Sequence, residues 1–196
     1  MKQKIFLLTF SAFLVGFNSQ TQAQEVAVKT NAIADALQNI NLGVEVGLAP
    51  KWSLDMTGEF NGWTLSHGRR WKHWYAMPEL RYWLCDRMSG HFFALHTFGG
   101  QYNIGGFDGK WNLLGTDATK LSDYRYQGWF VGAGLGYGYA WSLTRHLNLE
   151  AEIGIGWSYT RYDSYRCAHC GKKVESDQSH NYVGPTKAAV NLVYVF

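Results

Sequence analysis

The sequence predicts an all-β fold: an eight-stranded antiparallel transmembrane β-barrel with a filled polar interior, short periplasmic turns and longer extracellular loops. Three observations predict it. First, the stretch Gly128 to Trp141 alternates, with Trp129, Val131, Ala133, Leu135, Tyr137, Tyr139 and Trp141 on one face. Gly128, Phe130, Gly132, Gly134, Gly136, Gly138 and Ala140 make the other. Successive side chains of a strand point to opposite faces, so one face is apolar and the other nearly bare. Aromatics toward both ends of the apolar face, with aliphatics between, are the profile of a bilayer-spanning strand. Second, the chain carries 9 Trp, 12 Tyr and 11 Phe at a mean hydropathy of only −0.24. Two interfacial girdles explain so many rings better than a soluble core does. Third, the connections between alternating segments sort into a short set and a long set.

The chain opens with Lys2 and Lys4, an apolar run from Ile5 to Phe17, and a polar stretch ending Thr21-Gln22-Ala23. This reads as a signal peptide over residues 1–23, cleaved after Ala23. No cysteine lies near the cut, which argues against a lipid anchor. Residues 24–196 then form one outer-membrane β-barrel domain of about 170 residues. The chain has 18 Lys+Arg and 15 Asp+Glu, and losing Lys2 and Lys4 with the leader leaves the balance nearly neutral. That gives nucleic-acid binding no electrostatic support. No apolar run long enough for a membrane helix follows the leader, so a crossing is expected by strands.

The strands follow in order. Val26 to Asp35 is a weakly apolar first strand. In the second, Leu42, Val44, Val46 and Leu48 alternate with Asn41, Gly43, Glu45, Gly47 and Ala49. In the third, Trp52, Leu54, Met56 and Phe60 alternate with Ser53, Asp55, Thr57, Glu59 and Asn61. Trp71 to Leu84 puts Trp74, Ala76, Leu80, Tyr82 and Leu84 outside and Glu79 and Arg81 inside, and Pro78 predicts a local bulge because it lacks an amide donor. His91 to Ile104 is a fifth strand of unfixed phase, with Gly99-Gly100 as a kink that swaps the faces. The glycine-rich segment is sixth. Leu147 to Thr160 is seventh, with Asn148, Glu150 and Glu152 inside. The last sets Ala188, Val190, Leu192, Tyr194 and Phe196 against Lys187, Ala189, Asn191, Val193 and Val195.

Eight strands suit a small bacterial barrel. The short connections are Ala49 to Lys51, Cys85 to Ser89 and Ser142 to Arg145. The longer ones are Trp63 to Arg70, Gly105 to Arg125 and Asp163 to Ser179. Long outside and short inside is the usual asymmetry of outer-membrane barrels. A soluble sandwich or lipocalin-like barrel would bury the apolar face, but here carboxylates recur on the opposite face. A terminal aromatic, Phe196, on the apolar face of the last strand is similar to the signal read by the outer-membrane assembly machinery.

Lys29-Thr30-Asn31, Asn41-Leu42-Gly43-Val44-Glu45-Val46 and Gly184-Pro185-Thr186-Lys187-Ala188 together resemble a domain-of-unknown-function family of small secreted proteins from Bacteroidota. The resemblance spans nearly the whole mature chain. It implies an outer-membrane β-barrel, often encoded near fimbrial genes, and brings no catalytic residues.

The inward set is Lys29, Glu45, Asp55, Glu59, Glu79, Arg81, Glu150, Glu152 and Lys187. An eight-strand barrel is just wide enough to be filled by side chains, so these groups are expected to form an ion-pair network that plugs the lumen. The alternative is a path for protons or small ions, since acids outnumber bases. Cys167-Ala-His-Cys170 supplies only half of a four-ligand zinc site. A disulfide between Cys167 and Cys170 is the expectation in an oxidising compartment, with Cys85 left over. No metal, cofactor or catalytic residue is expected.

Arg69, Arg70 and Lys72 stand beside Trp71 and Trp74, where they are candidates to grip lipopolysaccharide phosphates. A solvated loop with belt aromatics is the competing reading. Ser66-His67 admits an outer-leaflet lipid A-modifying enzyme, a weak signal without an orienting carboxylate. The expected function is therefore non-catalytic: a monomeric outer-membrane barrel presenting surface loops. Its expected partners are outer-membrane lipid, lipopolysaccharide and fimbrial or other surface proteins.

Overall fold

The computed structural model describes residues 25–64, 69–107, 112–113, 116–117, 124–166 and 171–196. Eight antiparallel strands hydrogen-bond in a closed ring. They are β1 (Val26–Asn31), β2 (Ile40–Ala49), β3 (Trp52–Asn61), β4 (Arg70–Trp83), β5 (Gly90–Gly105), β8 (Tyr124–Ser142), β9 (Leu147–Arg166) and β10 (Lys172–Val195). A one-turn helix α1 (Ala32–Ala36) follows β1, and β6 (Asn112–Leu113) and β7 (Thr116–Asp117) pair as a separate hairpin. Around the ring the order is β1-β10-β9-β8-β5-β4-β3-β2, and β2 closes on β1.

Chain-order pairing follows from the short turns at one end, which hold successive strands side by side. Pro50 and Lys51, Leu84 to Ser89 and Leu143 to His146 make these turns. Both ends of the described chain meet there, where the Phe196 amide donates to the Val26 carbonyl. Cys85, in the β4–β5 turn, is exposed and free. The wall is uneven. β1 has 6 residues and β10 has 24, so the ring is low at β1 to β3 and tall at β8 to β10.

The faces of the strands are those that alternation predicts. Leu135 is 65 % exposed, and Ile153 and Ile155 are each 70 % exposed. Their inward neighbours Glu150 and Glu152 are buried, as are Ser53 and Asp55 on β3. Leu95, Leu135 and Ile155 stand opposite one another on β5, β8 and β9 and form an apolar row across the outside. Inside, the short-turn end is closed by an apolar cluster of Ala27, Trp83, Met88, Phe92, Ala94, Ala140 and Val193. The Trp83 and Phe92 rings lie 4.6 Å apart within it.

Four expectations need correction. The first strand ends at Asn31 rather than running to Asp35, because Asn31 Oδ1 accepts from the Ile33 amide at 3.1 Å and caps α1. Pro78 makes no bulge: Met56 faces Pro78, and Ala76–Gly99 and Glu79–His96 keep one register across β5. Pairing with β5 simply lapses at Met77 and Pro78, so the missing amide donor displaces nothing. Gly99-Gly100 swaps no faces; Phe92, Ala94, His96 and Gly100 are all buried, with exposed residues between the first three. Finally, most of Asp163 to Ser179 is strand. The continuation is polar on both faces, so no apolar alternation marked it, and the Lys173–Asp163 pair at 2.7 Å and the Arg161–Asp177 pair link β9 to β10.

Gly100 lets two strands approach. A Cβ there would lie 2.1 Å from the Trp74 carbonyl oxygen and 2.7 Å from Tyr75 Cβ. Gly100→Ala should therefore destabilise the fold by about 1–3 kcal/mol through overpacking. Gly58→Ala, whose nearest atom would be 3.9 Å away, should change stability by under about 0.5 kcal/mol. Urea midpoints from tryptophan fluorescence compare the two.

Candidate functional site

The interior has two storeys. The lower one is a charged plug centred on Arg81, which β4 aims inward and which has no exposed surface. Its Nε donates to Glu79 Oε1 at 2.7 Å. Nη1 donates to Glu45 Oε2 at 2.9 Å and Glu150 Oε2 at 2.8 Å. Nη2 donates to Glu150 Oε1 at 3.1 Å and Glu152 Oε2 at 2.9 Å. The planar guanidinium fork is what allows one cation to serve four carboxylates. Lys29 Nζ adds a bond to Glu45 Oε2 at 2.5 Å and lies 3.6 Å from both Asp55 and Glu150. Lys187 Nζ bridges Glu79 at 2.6 Å and Glu152 at 2.8 Å. The plug is tied to the apolar cluster below: Trp83 Nε1 donates to Ser53 Oγ at 2.8 Å, and Ser53 Oγ to Glu45 at 2.5 Å. The Phe92 ring lies 4.5 Å under the Arg81 guanidinium.

The upper storey is a cup at the long-loop end, a cavity of about 760 Å³. Ile33, Ala34 and Leu37 line it beside β1, and Trp71, Tyr75, Tyr102, Tyr126, Phe130, Tyr162 and Tyr182 give it aromatic walls. Among the described residues, one carboxylate, Glu59, lines it. Glu59 accepts from Asn39 Nδ2 at 2.6 Å and from Tyr75 Oη at 2.7 Å, and lies 3.0 Å from His73 Nε2. The other His73 ring nitrogen is 3.3 Å from the Trp71 carbonyl oxygen. Both nitrogens thus face acceptors, so neither is turned toward a hydroxyl in the cup. Higher up, the hydrogen bond from Lys173 holds the half-buried Asp163 carboxyl below its ordinary range.

Eight of the nine residues expected in the interior network, all but Glu59, meet in the plug. Glu59 belongs to the cup instead. Parity along β3 gives its side but not its height. His96 went unassigned for want of a phase; it is fully buried against the plug, with Nδ1 3.6 Å from Glu79 Oε2. Arg70 and Lys72 share the even-numbered, outward parity of β4 with the exposed Trp74, and are themselves half-buried; Arg69 precedes the strand. Cys167, Cys170, Ser66, His67 and the leader lie outside the described residues.

The chain belongs to the family described as "Protein of unknown function (DUF3575)", whose model matches residues 7–196. No curated protein matches it.

Proposed function

We propose that this chain spans the bacterial outer membrane as a non-catalytic, monomeric β-barrel, with the aromatic cup and the projecting ends of β8 to β10 at the cell surface. The observation that carries the reading is the inversion of the fold: apolar side chains ring the outside while ionised ones fill the inside. Among the exposed residues are Leu42, Leu54, Met56, Leu95, Leu135, Ile153, Ile155 and Val183. So large a continuous apolar band is rare on a soluble monomer and suits lipid. Trp52, Trp141 and Phe93 stand toward the short-turn end of the band, and Phe60, Trp74, Trp129 and Trp157 toward the other, as two girdles. The plug and the apolar cluster beneath it fill the lumen, which favours an anchor over a pore.

The role is structural or one of surface interaction. Arg70 and Lys72, set just beyond Trp74 with Arg69 nearby, suit contact with lipopolysaccharide phosphates. The resemblance to a family encoded near fimbrial genes favours fimbrial or other surface proteins as partners, which pull-down with fimbrial subunits tests. Lipid A modification is the rival; of the described residues, His73 has both ring nitrogens engaged and does not serve it as a base. Lipid A mass spectra from cells with and without the gene should be identical; a mass difference overturns the non-catalytic reading.

The decisive experiment is fractionation with gel analysis. The protein should enter the outer-membrane fraction and migrate differently before and after boiling. A monodisperse species in detergent-free buffer would sink the proposal.

A further inference from the structure

The bare face of β8 has a use beyond curvature. A Cβ on Gly136 would stand 2.7 Å from Glu152 Oε1, and one on Gly134 would stand 2.5 Å from His96 Nε2. On β9, a Cβ on Gly154 would stand 2.8 Å from His96 Cε1. The glycines therefore hold open the space that His96 and Glu152 occupy. Within it, one ligand atom each of Glu79, His96 and Glu152 lie inside 4.8 Å of one another, and all three residues are buried.

These groups converge on one space. His96 Nε2 is 2.9 Å from Thr186 Oγ1, which fixes the ring and leaves Nδ1 aimed at the Glu79 carboxylate. Neither His96 Nδ1 nor Glu152 Oε1 has a hydrogen-bond partner. Buried polar atoms left without a partner are costly. Lys187 relieves Glu79 Oε2 and Glu152 Oε2 but leaves those two atoms unmet. Charge points the same way. The plug sets five carboxylates (Glu45, Asp55, Glu79, Glu150, Glu152) against three cations (Lys29, Arg81, Lys187). With a neutral His96, two negative charges remain uncompensated in a water-poor interior, and one divalent ion supplies that charge.

We propose that Glu79, His96 and Glu152 form a site for one divalent transition-metal cation of the Zn²⁺ type inside the barrel. One imidazole nitrogen with carboxylate oxygens suits such an ion better than Ca²⁺ or Mg²⁺, which take oxygen ligands. The site depends only on the interior, so it stands or falls independently of what surrounds the barrel.

The test uses the full chain, folded in detergent or buffer, stripped with chelator and dialysed against micromolar Zn²⁺, with Ca²⁺ as the comparison. Elemental analysis should find one Zn²⁺ per folded chain and no Ca²⁺. His96→Ala and Glu152→Gln should each weaken binding at least about tenfold, while Glu59→Gln in the cup should not. If those variants fail to fold, imidazole NMR signals of the wild-type chain replace them, and the buried His96 ring should shift on Zn²⁺ addition. Folded wild-type protein without zinc overturns the proposal and leaves protons as the balancing charge. An unshifted His96 signal, or His96→Ala with wild-type affinity, also overturns it.

Discussion

Arg81→Met should cost the folded barrel about 3–5 kcal/mol, the penalty expected when one partner of a buried ion cluster is removed and the others stay charged. Arg81 serves Glu45, Glu79, Glu150 and Glu152 through all three guanidinium nitrogens. Its loss leaves five carboxylates to Lys29, which meets Glu45, and Lys187, which meets Glu79 and Glu152. Methionine fills the volume, so the loss is electrostatic and owes little to a cavity. Arg81→Lys should rescue less than half of the stability, because a single ammonium cannot hold both oxygens of Glu150 and reach Glu79 and Glu152 as well. Adding Glu150→Gln to Arg81→Met should recover part of the loss, since it removes the carboxylate that met the guanidinium with both oxygens. Urea midpoints of the folded protein measure all three. A single Arg81→Met within about 1 kcal/mol of wild type would mean that the plug is not held by this charge centre.

How much of this was legible beforehand depends on what alternation encodes. Parity assigns side, so the sequence pattern alone places Lys29, Glu45, Asp55, Arg81 and Glu152 indoors. It is silent on height, because the stagger between neighbouring strands decides which inward residues share a level. Glu59 and Glu45 both face inward, yet Glu59 meets His73 in the cup and Glu45 meets Arg81 in the plug. Height also separates the aromatic cup from the apolar cluster of Trp83, Met88 and Phe92, which parity alone gives no reason to expect in a polar lumen. His96 escaped because the doubled glycine at Gly99-Gly100 looked like an interruption, whereas the strand carries its phase straight through. The tall ends of β9 and β10 escaped for another reason. Where both faces meet water the period-two signal vanishes, and a strand such as Lys172 to Ser179 reads as loop although it stays paired with β9 through two register shifts. The single turn of α1 is too short to show a helical period at all; its capping residue, Asn31, was the available signal.

The substitution Leu135→Lys separates a barrel in lipid from a barrel in water. Leu135 lies between Leu95 and Ile155 on the outer surface, and it is 65 % exposed. In water such a site tolerates lysine, because an exposed surface change away from special contacts moves stability by under about 0.5 kcal/mol. Near a bilayer midplane the same ammonium costs about 2–4 kcal/mol, falling toward zero near the interfaces. Position along the strand therefore matters as much as exposure. Trp141→Lys, at the short-turn end of the same outward face of β8, should cost clearly less than Leu135→Lys despite its larger change in side-chain area. Both are read from urea titrations of protein folded into lipid vesicles, and from the fraction of chains that reach the heat-modifiable form in cells. A depth profile with its maximum at Leu135 belongs to a spanning strand. Equal, small effects at both positions belong to a solvated one, and would return the apolar band to the problem of what covers it.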